Sequence, residues 1–543
     1  MSEFIPALLV ALPILGATLP LALGLLRDRV GWSVAAFVLT IEAALATWLA
    51  YVIFVEGERV VHVLGGDSFG RQDQELEGTG ESTEGFVVGI ELVADALSGL
   101  VILLIAIVAL AVLAFARQGG PRGNTFYSGY LLLTGGLMGV LLTGDLFNLF
   151  VFLEIVGLAT YALVASNRSG EAAVAALKYL VIGTAGASLY LVGVGYIYVS
   201  TGTLNMVDVS RSLSGDVPWI DGALYGETLV IAAFAFIAVG LLAKAAIYPL
   251  HTWQPDAYAE SPDSVTIYIS ALVSTASAYA LARITWNVFT PEFFAATANA
   301  ELGLNAVLAL AAASVLIGSV LAAMQRRIKR MFAYSSVAQF GLIVLGIGIA
   351  VHPESGDAAT RFAVYGVVIH LIAHGLIKGG LFATAGAFAH GTGARTVGEY
   401  AGLAKQRPLL SATMALLGFG IIGVPPTVGF IGKWYLAVAS VESGLWIVVF
   451  VIFASTLLTL LYVARILEKL YFDYTPEDAP AHAEASALVT DGGRKLTLGM
   501  AGLAVGTAVV SLVLGFTGGI LTEWVAPVAD AVVEAVAEVG NHE

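Results

Sequence analysis

AKAAIYPLHTW, residues 243–253, ends an apolar run with a lysine and reaches a proline five residues later. A charged side chain near the centre of a membrane helix costs about 2.5–3.5 kcal/mol, so Lys244 needs a partner, water or a task. Pro249 lacks a backbone N–H and clashes with the turn before it, so the helix should break beside the lysine. GVPPTVGFIGKW, residues 423–434, holds the same ingredients: Pro425, Pro426 and Gly429, followed by Lys433. Paired interrupted helices in two halves of a chain point to a transporter built from inverted repeats.

The rest of the chain fits that frame. Of 543 residues 58% are hydrophobic and 12% charged, against roughly 25% charged in soluble domains, and mean hydropathy is +0.88. A water-soluble enzyme is excluded. A span needs about 20 apolar residues, and that rule predicts helices centred near residues 15, 42, 104, 136, 157, 186, 238, 276, 312, 341, 375, 422, 457 and 507. The expected fold is thus an all-α polytopic membrane protein of about fourteen transmembrane helices. It divides into an N-terminal part (1–126), a first five-helix repeat (127–300), a second inverted repeat (301–472), and an inner loop, last helix and amphipathic tail (473–543). The tail from Leu521 to Val539 is expected along the membrane surface. The first run, Phe4 to Leu26, follows Glu3 instead of a basic segment and reads as a spanning helix, not a signal peptide.

The formal charge is −15, from 40 acidic and 25 basic residues. The acids gather in 56–84, 208–221, 353–357 and 473–484, a pattern that suits a halophilic source and equally suits ordinary solvated loops. No basic patch supports nucleic-acid binding. The chain has no cysteine, which excludes disulfides, iron–sulfur clusters, thiolate zinc sites and c-type haem. No Walker A or dinucleotide fingerprint occurs, and no cofactor is expected. With both termini outside, sixteen basic residues fall on inner loops and five on outer ones, so the positive-inside rule selects that orientation in the plasma membrane.

Four of the eight lysines then remain inside apolar helices: Lys178, Lys244, Lys378 and Lys433. Lys178 lies less than two turns from an inner loop, within reach of the interface. In VIHLIAHGLIKGGLF, residues 368–382, His370, His374 and Lys378 recur every fourth residue on one helix face, a spacing suited to a water-assisted proton wire. The two histidines alone lack a third zinc ligand, and no metal site is expected; hydrogen bonding between helices is the plainer role for them. Glu154, in TGDLFNLFVFLEI (143–155), is the acidic counterpart. A Glu–Lys pair that opens and closes changes the proton affinity of its lysine. Asp145, nine residues earlier, stands near the interface, where helix capping is as good a reading as transport.

These stretches, with KYLVIGTAGASLYLVGVGYIYVSTGTLNMVDV (178–209), KAAIYPLHTWQPDAY (244–258), KRMFAYSSVAQFG (329–341) and PPTVGFIGK (425–433), resemble the antiporter-like proton-translocating membrane subunits. That family serves respiratory complex I, membrane-bound hydrogenases and Mrp-type sodium/proton antiporters. TGDLFNLFVFLEI and STGTLNM are most similar to the D subunit of the Mrp complex. The resemblance implies a transport subunit, not an enzyme in its own right, with other subunits, protons and sodium as partners; a redox-driven proton pump is the alternative. It implies proton transfer at Glu154, Lys244 and Lys433, with His370, His374 and Lys378 between them. The family's helix-eight lysine is replaced here by Thr275, which cannot carry a proton as a cation, and His251 is the candidate substitute.

Overall fold

The computed structural model describes residues 2–65, 68–69, 86–87, 89–218, 220–473 and 496–540. The polar stretches 70–85 and 474–495, with many of the acids noted above, lie outside them. The helices in order are α1 (Ile5–Gly16), α2 (Leu19–Gly24), α3 (Gly31–Tyr51), α4 (Ala96–Gly119), α5 (Asn124–Leu142), α6 (Leu146–Ala165) and α7 (Gly170–Thr201). Next come α8 (Met206–Ser214), α9 (Thr228–Lys244), α10 (Gln254–Glu260), α11 (Asp263–Ile284), α12 (Thr290–Ala296), α13 (Ala298–Met324) and α14 (Ile328–Ile349). The last are α15 (Asp357–Thr392), α16 (Leu403–Gln406), α17 (Pro408–Ile422), α18 (Val428–Glu442), α19 (Trp446–Tyr471), α20 (Leu498–Phe516) and α21 (Gly518–Gly540).

Twelve helical segments among the described residues are long and apolar enough to span a bilayer. The two shorter apolar helices, α9 and α17, are those that the prolines cut short. Together they give the fourteen expected crossings. The halves share an order of packing: α5 on α6, α6 on α7 and α7 on α9 in the first, α13 on α14, α14 on α15 and α15 on α18 in the second. Glycine permits the closest approach: a Cβ on Gly240 of α9 would stand 2.5 Å from the Gly186 carbonyl oxygen of α7.

The all-α membrane fold carries one small addition: β1 (Val60–Leu64) pairs antiparallel with β4 (Ile90–Ala94), and β2 (Ser68–Phe69) with β3 (Phe86–Val87). The β-branched run VVHVL satisfies its backbone there, which a count of membrane-length segments does not register. The amphipathic tail lays its apolar face on protein. α21 buries Leu521, Val525, Ala529 and Val532 against its neighbours, stacks Trp524 on Phe54 at 5.3 Å and pairs Asp530 with Arg361. An amphipathic stripe reads alike whether lipid or protein covers it.

The loops that the charge bias places on one side do meet at one end. Arg327 pairs with Glu260, Lys329 and Arg395 with Asp263, and Asn167 donates to the Glu260 carbonyl. These groups line a cavity of about 610 Å³. The opposite end gathers Arg283 and Asp95, whose side chains meet at 2.9 Å, with Arg59, Glu91 and Arg211 nearby. α11 and α15 are enclosed along their whole apolar lengths, whereas α19 exposes Phe450, Phe453 and Leu457 as a lipid-facing helix would.

Candidate functional site

Both predicted interruptions exist and end in the same way. α9 stops where Ala246 takes a φ of +60°, and the Ile247 N–H donates back to the Leu242 carbonyl at 3.0 Å. α17 stops where Gly423 takes a φ of +90°, and the Val424 N–H donates to the Phe419 carbonyl at 3.0 Å. This is the helix-ending motif in which a left-handed residue turns the chain away and proline then prevents its resumption. Alanine in the first turn lacks the freedom of glycine, and left-handed backbone costs it about 1–2 kcal/mol. A buried 3₁₀ turn (Leu250–Trp253) and α10 complete the first crossing, and α18 completes the second.

Lys244 is the last residue of α9. Its Nζ lies 3.0 Å from Glu154 Oε1 of α6 and donates to the Leu153 carbonyl at 3.3 Å. The lysine side chain is 8% exposed and the glutamate 22%, so the pair is buried on the cation's side and reachable on the anion's. Glu154 sits nine residues into α6, about 13 Å along its axis.

Lys433 is held differently. It reaches back across the second break to donate to the carbonyls of Ile421 at 2.8 Å and Ile422 at 3.1 Å, at the end of α17. The helix dipole places partial negative charge there. Among the described residues no carboxylate pairs with Lys433. At the first break another carbonyl of the last helical turn, that of Ala243, is taken by the indole N–H of Trp253 at 3.0 Å. The two breaks are therefore alike, but their lysines stand on opposite sides of them.

Between these positions runs α15, 36 residues or about 54 Å long. Lys378 donates to the Phe332 carbonyl at 2.8 Å and to Ser335 Oγ, both on α14. His370 Nε2 is 3.0 Å from Gln339 Oε1. Neither ring nitrogen of His374 has a hydrogen-bond partner. A cavity of about 10 Å³, room for about one water, touches all three and Ile421 of the Lys433 cradle. His370 also packs directly on Gly432, where a Cβ would come within 2.8 Å of the histidine Cα.

Other predicted members stand apart. Lys178 is 54% exposed and shares Asp256 of α10 with Arg330, at 2.7 and 2.8 Å; it is an exposed ion-paired lysine, not a buried one. Asp145 caps α6, accepting the Asn148 N–H at 2.6 Å, and burial pushes its carboxyl above the usual carboxylate range. Thr275 bonds its own helix, donating to the Ala271 carbonyl at 2.8 Å. His251 is buried at the first break between the rings of Tyr248 and Tyr334, with Nδ1 unpartnered. One residue escapes the sequence reading: Glu42 of α3, 0% exposed. The signal that marks Lys244, a charge inside an apolar run, marks Glu42 too.

Comparison with known proteins bears on the same elements. The model of the family described as "NADH:quinone oxidoreductase/Mrp antiporter, TM" matches residues 143–459, from the turn before α6 into α19. The N subunit of the NADH-quinone oxidoreductase of Desulforudis audaxviator is 43% identical over 415 residues, 76% of this chain and 78% of that one. The D subunit of the Na(+)/H(+) antiporter of Bacillus subtilis is 31% identical over 452 residues, 82% and 84% of the two chains. A chain of the Mrp complex from Dietzia sp. DQ12-45-1b superimposes with a TM-score of 0.82 at 28% identity, over 98% of this chain and 97% of that one.

Proposed function

This chain belongs to the NADH:quinone oxidoreductase/Mrp antiporter family of membrane subunits, and on that premise we propose that it carries protons in an Mrp-type sodium/proton antiporter. It is a multi-pass, antiporter-like, proton-translocating subunit. The finer assignment is supported by the greater length of the match to the antiporter's D subunit. The 43% identity to an oxidoreductase N subunit favours a second reading, a redox-driven proton pump with this chain in its membrane arm. In either case neighbouring subunits complete the machine, and the chain lies in the plasma membrane with both termini outside.

The observation that carries the reading is the buried Glu154–Lys244 contact at a helix break. Glu154 holds the ammonium in its protonated form. When the carboxylate moves off, the lysine keeps only backbone acceptors and gives its proton to water beside α10. Lys378, His374 and His370 relay charge along α15, and Lys433 holds it on the α17 carbonyls until α18 shifts. The break supplies mobility, because half-helices pivot where the regular helical ladder is interrupted.

Proton transport into vesicles holding the whole complex, with and without sodium, tests both levels. A sodium-dependent pH gradient is expected without any electron donor; transport only with a donor would select the redox reading. Lys244→Ala should assemble and lose about a hundredfold or more in rate, the scale of a positioned proton carrier. Glu154→Asp should weaken transport by withdrawing the carboxylate from 3.0 Å. Near-normal transport by an assembled Lys244→Ala complex would reject the role.

A further inference from the structure

Glu42 stands outside the two interrupted crossings and outside the segment matched by the family model. It occupies the middle of the inward stripe of α3, among Ala35, Val38, Leu39, Ala46 and Leu49. Its side chain is fully enclosed, and neither carboxyl oxygen has a hydrogen-bond partner. α3 packs on α1, α2, α4 and α5. α1 and α2 offer no titratable group; α4 offers Arg117, drawn away onto the Trp32 ring at 4.5 Å; α5 offers Tyr127 and Tyr130. No cation answers the carboxyl among the described residues. An ionised carboxylate would be unpaired in an apolar interior, so the acid rests with its proton on.

Hydroxyls lead away from it. On α5, which packs on α3, Thr134 Oγ1 lies 2.7 Å from the Tyr268 hydroxyl of α11. Tyr130 stacks on Tyr268 at 4.5 Å and fixes its ring. Further along α11, Ser274 Oγ accepts from Gln254 Nε2 at 3.1 Å, and Gln254 opens α10 just past the first break. We propose that Glu42 is a further proton-binding carboxyl, exchanging through the Tyr268–Thr134 pair and intervening water with the break that holds Lys244. In each transfer the hydroxyl takes a proton on its oxygen and releases its own to the next acceptor, so no charge accumulates. The inference rests on the proton-translocating reading. It provides a titratable group on the flank of α11, where Thr275 cannot serve.

The test uses the assembled complex in proteoliposomes, with Glu42→Gln, Glu42→Asp and Lys244→Ala compared for initial proton transport. Glutamine keeps the shape and removes the proton site. Glu42→Gln should lose about a hundredfold, with Glu42→Asp between it and the wild type. Wild-type transport by Glu42→Gln beside an inactive Lys244→Ala overturns this inference alone; normal transport by both overturns the reading beneath it as well. Should Glu42→Gln fail to assemble, the wild-type complex is treated with dicyclohexylcarbodiimide, which adds to protonated carboxyls in apolar surroundings. Modification at Glu42, located by mass spectrometry and proportional to lost transport, supports the site, and its absence overturns it.

Discussion

Lys433 gives its ammonium to two backbone carbonyls and, among the described residues, to no carboxylate, so charge and protonation can be separated at this position. Arginine keeps the charge and does not release a proton at physiological pH. Lys433→Arg should assemble and fail to transport if the residue carries protons. An active arginine variant with a misassembled Lys433→Ala would make it a tie between half-helices instead. Complex assembly and vesicle transport for the two variants decide this. The lysines were legible in the sequence because their charge contradicts the apolar run around them. The manner of holding them was not: a cradle of backbone carbonyls has no side-chain signature, and Trp253 takes up a carbonyl at the other break without any charge to mark it. The partner of Lys178 was equally hidden, because Asp256 lies 78 residues away in the chain.

At the scale of elements, the second crossing depends on contact between glycines. A Cβ on Gly429 would come within 2.0 Å of the Gly420 carbonyl oxygen, so α17 and α18 meet backbone to backbone. Gly429→Ala should push them apart, displace Lys433 from its cradle and reduce transport as strongly as loss of the lysine, measured in the same vesicles. α4 offers a test of stability. Asp95 caps it through Ser98 and faces Arg283; burial alone would raise its carboxyl, but the guanidinium and the cap hold it down at about 2. Against the ordinary 3.8, that lowering is worth about 2 kcal/mol. A carboxyl lowered on folding stabilises above its unfolded value, and the benefit is lost as pH falls through the folded one. Asp95→Asn should therefore melt earlier than wild type at pH 6, with the difference shrinking from about pH 4 and gone near pH 2. Helix positions were legible from apolar length, and both breaks from proline; the strands of 60–94 and the docking of α21 depend on partners distant in sequence.

For the molecule as a whole, the sidedness of its loops is open to direct chemistry, because the chain has no cysteine of its own. Single cysteines at Glu171, in the first turn of α7, and Ala223, beyond its far end, should react with impermeant maleimide from opposite sides, Ala223 from outside. Labelling from the same side would remove the charge-based orientation. α11, finally, carries a consequence for how the chain is made. It is enclosed by protein along its full length and lined with Ser270, Ser274, Thr275 and Ser277; α4, α5 and α9 are already made when it emerges, but α14 and α15, which cover another side of it, are synthesised afterwards. At birth this segment must enter the bilayer with its hydroxyls turned inward on its own carbonyls, as Thr275 and Ser277 still do. The side of α11 that α15 comes to cover thus waits in the bilayer for a helix made some seventy residues later, and the transport core closes only then.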